Sequence, residues 1–387
     1  MWSFVSPRVV FGEGALDALG EVRGEKALIV TDDGIVELGL LDGILERLSE
    51  SGFEVRVFAG VEPDPSIPTV EAGADVARDF EPDWIVGLGG GSPMDAAKAI
   101  WVLYERADLA AADINPFIDL GLRKKARLIT IPTTSGTGSE ATWMIVLTDP
   151  VEKRKMGLGN RECIADLAIV DPSLPAGMPP QLTADTGLDA LTHAVEGYTC
   201  TWRSDLTDGL CAHAAAEVFD HLPRAVANGA DMEARTRMHH AATTAGLGFG
   251  NAFASLAHAM GHALGAELHV PHGRAVGLCL PYTLEFIGRE APERLGRLAR
   301  AVGLASNDGP AAARMLPEAV RNLANQIGSP AFLQQAGVER EAFEKGLKRI
   351  VAIAENDTQI ITAGRSPSTG ELELLFEHVY DGRVVDF

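Results

Sequence analysis

The sequence is poor in cysteine, in positive charge and in long apolar runs. Cysteine occurs at Cys163, Cys200, Cys211 and Cys279, with no C-x-x-C pair. That excludes a disulfide framework and points to reduced thiols in a cytoplasmic protein. No apolar run reaches the ~18 residues that a membrane-spanning helix needs. No basic stretch leading into an apolar one stands at the start, so neither a span nor a signal peptide is expected. Lys and Arg number 33 against 54 Asp and Glu, a formal net charge of −21. A surface this acidic repels phosphate backbones and anionic lipid, which argues against nucleic acid and membranes as partners. No repeat of fixed period and no low-complexity linker is present. Hydrophobic residues at 46% and charged residues at 22% instead fit a globular protein, and the length suits two domains.

The first half alternates short apolar runs with helical spacing. Lys26–Asp32, Phe53–Phe58, Asp83–Leu88, Ala126–Ile131 and Leu167–Val170 read as strands, rich in β-branched residues. Between them, residues 38–50 carry an apolar stripe (Leu40, Leu41, Ile44, Leu45, Leu48), and Val70–Ala77 and Ser92–Val102 also read as helices. Strands joined by helical crossovers build a parallel sheet covered on both faces. The pattern changes at Pro179-Pro180. From Thr183 onward the sequence is Ala-rich and almost wholly helical, with turns at Gly309-Pro310 and Gly328-Ser329-Pro330. The expected organisation is an α/β domain over 1–178 and an all-helical domain over 179–387, tightly packed with a cleft between them.

Two loops stand at the carboxyl ends of strands. Residues 86–98 read VGLGGGSPMDAAK: a strand enters, glycines turn and a helix leaves. Helix N-termini offer free N–H groups and partial positive charge to anions, and glycine lets a diphosphate approach the backbone. The run lacks the G-x-G-x-x-G fingerprint because Ser92 falls where the last glycine belongs. Residues 130–140 read TIPTTSGTGSE, six of the eleven bearing hydroxyls. Each loop taken singly also reads as an ordinary turn. Two of them in one sheet favour a nucleotide site. Asp32, at the end of the first long run, suits ribose hydroxyls and opposes a 2′-phosphate, which favours NAD over NADP; it serves equally well as a helix cap.

The helical half concentrates histidine. Asp189 and His193 are spaced i,i+4, as are His258 and His262, and His272 follows Pro271. Such spacing puts each pair on one helix face. A lone helical histidine is usually a packed residue, but two such pairs in apolar surroundings are costly to bury without a role. Imidazoles with a carboxylate suit a first-row divalent ion such as Fe2+ or Zn2+. His213, His239 and His240 lack such partners and read as structural or exposed; His269 is ambiguous.

Together GLGGGSPMDAAKAI (87–100), TIPTTSGTGSEAT (130–142), GMPPQLTADTGLDALTHAVEGY (177–198) and HAMGHALGAELHVPHGRAVGLCLP (258–281) resemble the iron-containing (group III) alcohol dehydrogenase family, in family order and across nearly the whole chain. The resemblance implies an N-terminal dinucleotide-binding domain like that of dehydroquinate synthase and an all-helical metal domain. It implies metal ligands at Asp189, His193, His258 and His272, with His262 near the metal and the nicotinamide. Cofactor contacts would fall on Asp32, Gly90, Gly91, Ser92, Asp95, Thr133, Thr134, Thr137 and Lys155. The chain departs from the family pattern at Pro63-Asp64-Pro65, where Pro-Asn-Pro is frequent. It departs again at Thr362-Ala363-Gly364-Arg365, where Thr-Asn-Pro-Arg is common; in the family that segment borders the substrate, which weakens transfer of the substrate by analogy.

The expected reaction is reversible oxidation of a small primary alcohol to its aldehyde, with Fe2+ or Zn2+ as Lewis acid, NAD or NADP as hydride carrier and His262 as proton relay. Trp143, Met144 and Phe253, the last placed one helical turn before His258, are candidates for an apolar substrate pocket. A zinc polyol dehydrogenase of the glycerol type, a dehydroquinate synthase-like lyase and a non-catalytic nucleotide-binding or filament-forming protein are the competing readings. The family implies a homodimer or larger homo-oligomer.

Overall fold

The structure is a computed structural model that describes residues 3–151 and 154–387. Contacts divide the chain into two compact units. Residues up to Thr134 and Gly138–Ala176 form the first; Ser135–Thr137 and Gly177–Phe387 form the second.

The first unit is built on a six-stranded sheet, parallel throughout. Its strands are β1 (Arg8–Phe11), β2 (Lys26–Val30), β3 (Glu54–Phe58), β4 (Trp84–Gly89), β5 (Arg127–Pro132) and β8 (Leu167–Val170), in the spatial order β1-β8-β5-β4-β2-β3. Strand β4 is buried at every position, which is why its sequence shows no alternation. Helices cover both faces. On one side Leu28, Val30 and Ile85 pack against α3 (Ile67–Phe80) and α4 (Gly91–Glu105). On the other, Ile29, Val86 and Ile131 pack against a 3-10 turn (Ala15–Glu21) and α2 (Asp42–Glu50). From β2 the chain moves outward to β3; from β4 it moves the other way to β5. The direction of winding therefore reverses between β2 and β4, and in open α/β sheets ligands bind outside the carboxyl ends of the strands at such a point.

Several expectations need correction. Residues 38–50 are not one helix. Asp33–Glu37 forms a short α1 capped by the Asp32 side chain, Gly39 turns with φ +70°, and α2 begins only at Asp42. Strand β2 stops at Val30, so Asp32 is a cap beyond the strand rather than its last residue. Strand β1 was not anticipated. Nor was the antiparallel hairpin of β6 (Met144–Asp149) and β7 (Arg154–Gly159). The hairpin is anchored by the Thr148 N–H donating to the Pro65 carbonyl at 2.8 Å.

The second unit is helical: α5 (Pro180–Thr199), α6 (Asp205–Ala227), α7 (Met232–Phe249), α8 (Leu256–Leu268), α9 (His272–Ile287), α10 (Pro292–Ala301), α11 (Pro310–Gln326), α12 (Arg340–Glu355) and α13 (Thr369–Asp381). Helix α5 starts at Pro180 in its first turn, where a missing N–H costs nothing. Phe253 lies in the connection before α8 and not on a helical turn; its ring meets Trp202 at 5.3 Å. Among the described residues no helix is long and apolar enough to cross a membrane. All four cysteines are free and buried.

Candidate metal and nucleotide sites

In the first unit most of the residues expected to meet a cofactor gather at the carboxyl edge of the sheet. Gly89 takes φ +145°, and a Cβ there would sit 2.6 Å from Pro93, so the turn between β4 and α4 requires glycine. The same Cβ would lie 3.4 Å from Asp32 Oδ2. Gly90 caps α4, Gly91 and Ser92 open it, and Thr134 lies beside Gly90, 3.5 Å from where its Cβ would be. Asp32 Oδ1 accepts the Ile35 N–H at 3.0 Å, which spends one oxygen on capping α1. The Thr133 N–H donates to the Gly89 carbonyl at 2.9 Å and its side chain is buried. Asp64 joins this group. Its N–H donates to Ser92 Oγ at 3.2 Å, and its carboxylate meets Lys155 Nζ at 2.6 Å. Lys155 stands opposite Thr148 in the hairpin, so the anchor at Pro65 brings the ammonium to Asp64.

Asp95 turns toward the protein. Its Oδ1 accepts Ser139 Oγ at 2.6 Å and Lys98 Nζ at 3.2 Å, and its Oδ2 accepts the Val146 N–H at 2.9 Å. Lys98 is fully buried and also donates to Ser139 Oγ and the Met144 carbonyl. Asp95 and Lys98 therefore brace the Ser/Thr loop. Trp143 is packed on Gly159, where a Cβ would come within 2.9 Å of its ring. Thr137 groups with the second unit.

In the second unit α5 presents Asp189, His193 and Glu196 on one face. Helix α9 approaches α5 so closely that a Cβ on Gly273 would stand 2.3 Å from the Asp185 carbonyl. Arg274 locks this approach with two bonds to Asp185, at 3.1 and 2.8 Å. His272, the first residue of α9, thereby reaches Asp189, with Nε2 3.5 Å from Oδ1. His258 on α8 places its Nε2 3.7 Å from the same oxygen and 2.9 Å from His193 Nε2. Ligand atoms of Asp189, His258 and His272 all lie within 4.8 Å of one another. His193 flanks this trio, with its Nδ1 3.6 Å from Asp189 Oδ1 and its ring stacked on Phe249 at 4.0 Å. The His262 ring stacks on His272 at 5.3 Å.

The electrostatics follow from burial against charge. Burial drives the His193 imidazole down to about 3, outweighing Asp189, while His258 and His272 add to the depression. His258 is pushed the other way, to about 9, because Asp189 and Glu196 outweigh the cost of burial. Asp189 stays well below the usual carboxylate range despite burial, held there by the surrounding imidazoles. Asp189 Oδ1 and His193 Nδ1 are buried with no hydrogen-bond partner, and a polar atom left so costs ~1–3 kcal/mol. An anionic oxygen without a partner amid converging imidazole nitrogens is the donor set that a divalent cation satisfies.

Three features escaped the sequence reading. Glu196 and Asp357 each hold a histidine of the cluster, and Phe249 stacks on a third. Glu196 had a signal, since it follows Asp189 and His193 at helical spacing; Asp357 and Phe249 had none near their partners in the chain. Of the remaining histidines, His239 is buried with Nδ1 3.1 Å from Ser135 Oγ, and His213 and His269 are exposed.

A family model for iron-containing alcohol dehydrogenases matches residues 6–172, and one for the C-terminal region of the Fe-containing alcohol dehydrogenase family matches residues 183–380. The chain belongs to the iron-containing alcohol dehydrogenase family. It is 40% identical over 390 aligned residues to the NADPH-dependent butanol dehydrogenase of Clostridium saccharobutylicum, covering 100% of both chains. With the aldehyde-alcohol dehydrogenase of Streptococcus pneumoniae it shares 36% identity over 98% of its own length but 46% of that protein, so it spans about half of that relative. The solved structure of a 1,3-propanediol oxidoreductase superposes with a TM-score of 0.92 at 33% identity, covering 98% of this chain and 100% of that one. The chain is thus an NAD(P)-linked alcohol dehydrogenase, with the α/β and helical halves of this family.

Proposed function

We propose that the protein interconverts small primary alcohols and their aldehydes, using Fe2+ held by Asp189, His193, His258 and His272. The observation that carries this reading is the unpartnered Asp189 oxygen beside three imidazoles. Bound there, a divalent ion supplies Lewis acidity that makes an alcohol hydroxyl easier to deprotonate. A bound nicotinamide would supply the two-electron hydride acceptor for oxidation, and His262 would take the alcohol's proton. Asp189, His193, His258 and His272 would hold the ion, and the His193 ring stacks on Phe249 at 4.0 Å.

The first unit is proposed to hold the dinucleotide at the reversal between β2 and β4. Gly90, Gly91 and Ser92 offer the α4 N-terminus to the diphosphate. Thr133, Thr134, Thr137 and Lys155 are assigned the remaining contacts, with Asp95 bracing the Ser/Thr loop through Ser139. Asp32 disfavours a 2′-phosphate, so NAD is preferred over NADP, in contrast to the NADPH dependence named for the Clostridium relative. The name of that relative supports butanol-sized substrates. Buried free thiols support a reducing, cytoplasmic setting. A homodimer or larger homo-oligomer is the assembly proposed.

The test is a scan of alcohols and aldehydes at 340 nm with protein purified anaerobically, alongside metal analysis. Turnover of short primary alcohols with about one iron per chain is expected. His258→Ala should lose metal and turnover together. Full activity in the metal-free variant would refute the site, and zinc in place of iron would correct the metal.

A further inference from the structure

Two buried carboxylates, neither of them placed among the ligands, each grip one histidine of the cluster. Glu196 is 3% exposed. It accepts from the Ser255 N–H at 2.8 Å, from the Ala257 N–H, and from His258 Nδ1 at 2.6 Å. It thereby ties the start of α8 to α5 and satisfies N–H groups that a helix N-terminus leaves open. A carboxylate so surrounded can only accept, so His258 Nδ1 carries a hydrogen. Nε2, which faces His193 and Asp189, is then the nitrogen left to meet an ion.

Asp357 makes the corresponding grip on His262. Its Oδ2 lies 2.7 Å from His262 Nδ1, and its Oδ1 accepts the Gln359 N–H at 2.8 Å. It also caps the 3-10 turn Thr358–Thr362. That turn is pinned by Thr362 Oγ1 donating to the Ala254 carbonyl at 2.6 Å. The segment after α12 thus fixes the orientation of a ring that stacks on His272 without being one of the four ligands.

We propose that these carboxylates divide the labour. Glu196 is a positioning residue for metal capture, acting through His258; Asp357 is a positioning residue for turnover, acting through His262. The inference rests on the metal reading above. It goes further by assigning separate consequences to two side chains that look alike in the structure. Outer carboxylates that orient metal-bound histidine change affinity about 10–100-fold when removed.

The experiment is a titration of metal-free protein with Fe2+ under anaerobic conditions, with Kd read for wild type, Glu196→Gln and Asp357→Asn, and with kcat and KM at saturating metal for Asp357→Asn. Glu196→Gln should weaken Fe2+ about 10–100-fold. Asp357→Asn should keep the wild-type Kd within about threefold and the KM within about twofold while kcat falls about 10–100-fold. Asp357→Glu should recover part of that kcat. Folding of each metal-free variant is checked by far-UV circular dichroism. If Glu196→Gln fails to fold, Glu196→Asp, which withdraws the carboxylate from His258 while keeping its charge, takes its place with the same expected loss. A wild-type Kd in the Glu196 variants, or equal loss of metal in both series, overturns the division. A wild type that binds no divalent ion overturns the metal reading and this inference with it.

Discussion

At the scale of single residues, chemistry is decided by what each side chain can still do once its neighbours are satisfied. Asp32 spends one oxygen on Ile35 and keeps the other near Gly89. Asp32→Gly should therefore relax cofactor choice, raising kcat/KM with NADPH relative to NADH by about tenfold, a change of ~1.4 kcal/mol. An unchanged ratio would remove the argument for NAD. Asp95 shows the opposite case, with both oxygens held by Ser139, Lys98 and Val146. The cysteines are sealed off, and burial pushes the Cys163 thiol up to about 12. The native protein should accordingly resist thiol reagents, and one rapidly labelled cysteine would contradict that packing. Much of the Asp–His cluster is legible at this scale, because i,i+4 spacing states which side chains share a helix face. Glu196 obeys the same rule, but acidic residues are common on helices and the spacing alone does not single it out. Asp357 was illegible in principle, since its partner His262 lies 95 residues away.

At the scale of elements, two close approaches shape the sites. The turn between β4 and α4 needs Gly89, and the start of α9 needs Gly273 against α5. Gly273→Ala should push α9 outward, lengthen the 3.5 Å separation of His272 from Asp189 and destabilise the fold by about 1–3 kcal/mol. Metal Kd should rise with it, as read by Fe2+ titration and thermal unfolding. Wild-type values in both would show that the contact yields without consequence. Buried central strands were legible because they are continuous apolar runs bounded by glycine or proline. Strand β1 was not, because it is a short edge strand with both end residues exposed. The β6–β7 hairpin was hidden by Lys, Arg and Gly in its second strand, and α1 was merged with α2 because Leu40 and Leu41 continue the apolar spacing through the turn at Gly39.

At the scale of the whole molecule, the two units have different physics. The first is a sheet proposed to offer backbone N–H groups to an anion; the second is a helical unit proposed to offer imidazoles and a carboxylate to a cation. An ion that binds only the folded state stabilises it by about 2.7 kcal/mol at a hundredfold excess over Kd. Chelation should therefore lower Tm by roughly 5–10 °C, at ~2–4 °C per kcal/mol for a unit of this size. An identical melting curve with and without chelator would contradict a metal bound to the native fold. The central claim is that one cation sits between α5, α8 and α9, and anomalous X-ray diffraction at the iron edge from crystals grown anaerobically with Fe2+ tests it most directly. The account predicts a single strong peak per chain, about 2.0–2.3 Å from an oxygen of Asp189 and a nitrogen of each of His193, His258 and His272. No peak there in crystals of active enzyme, or a peak held by other side chains, would contradict it.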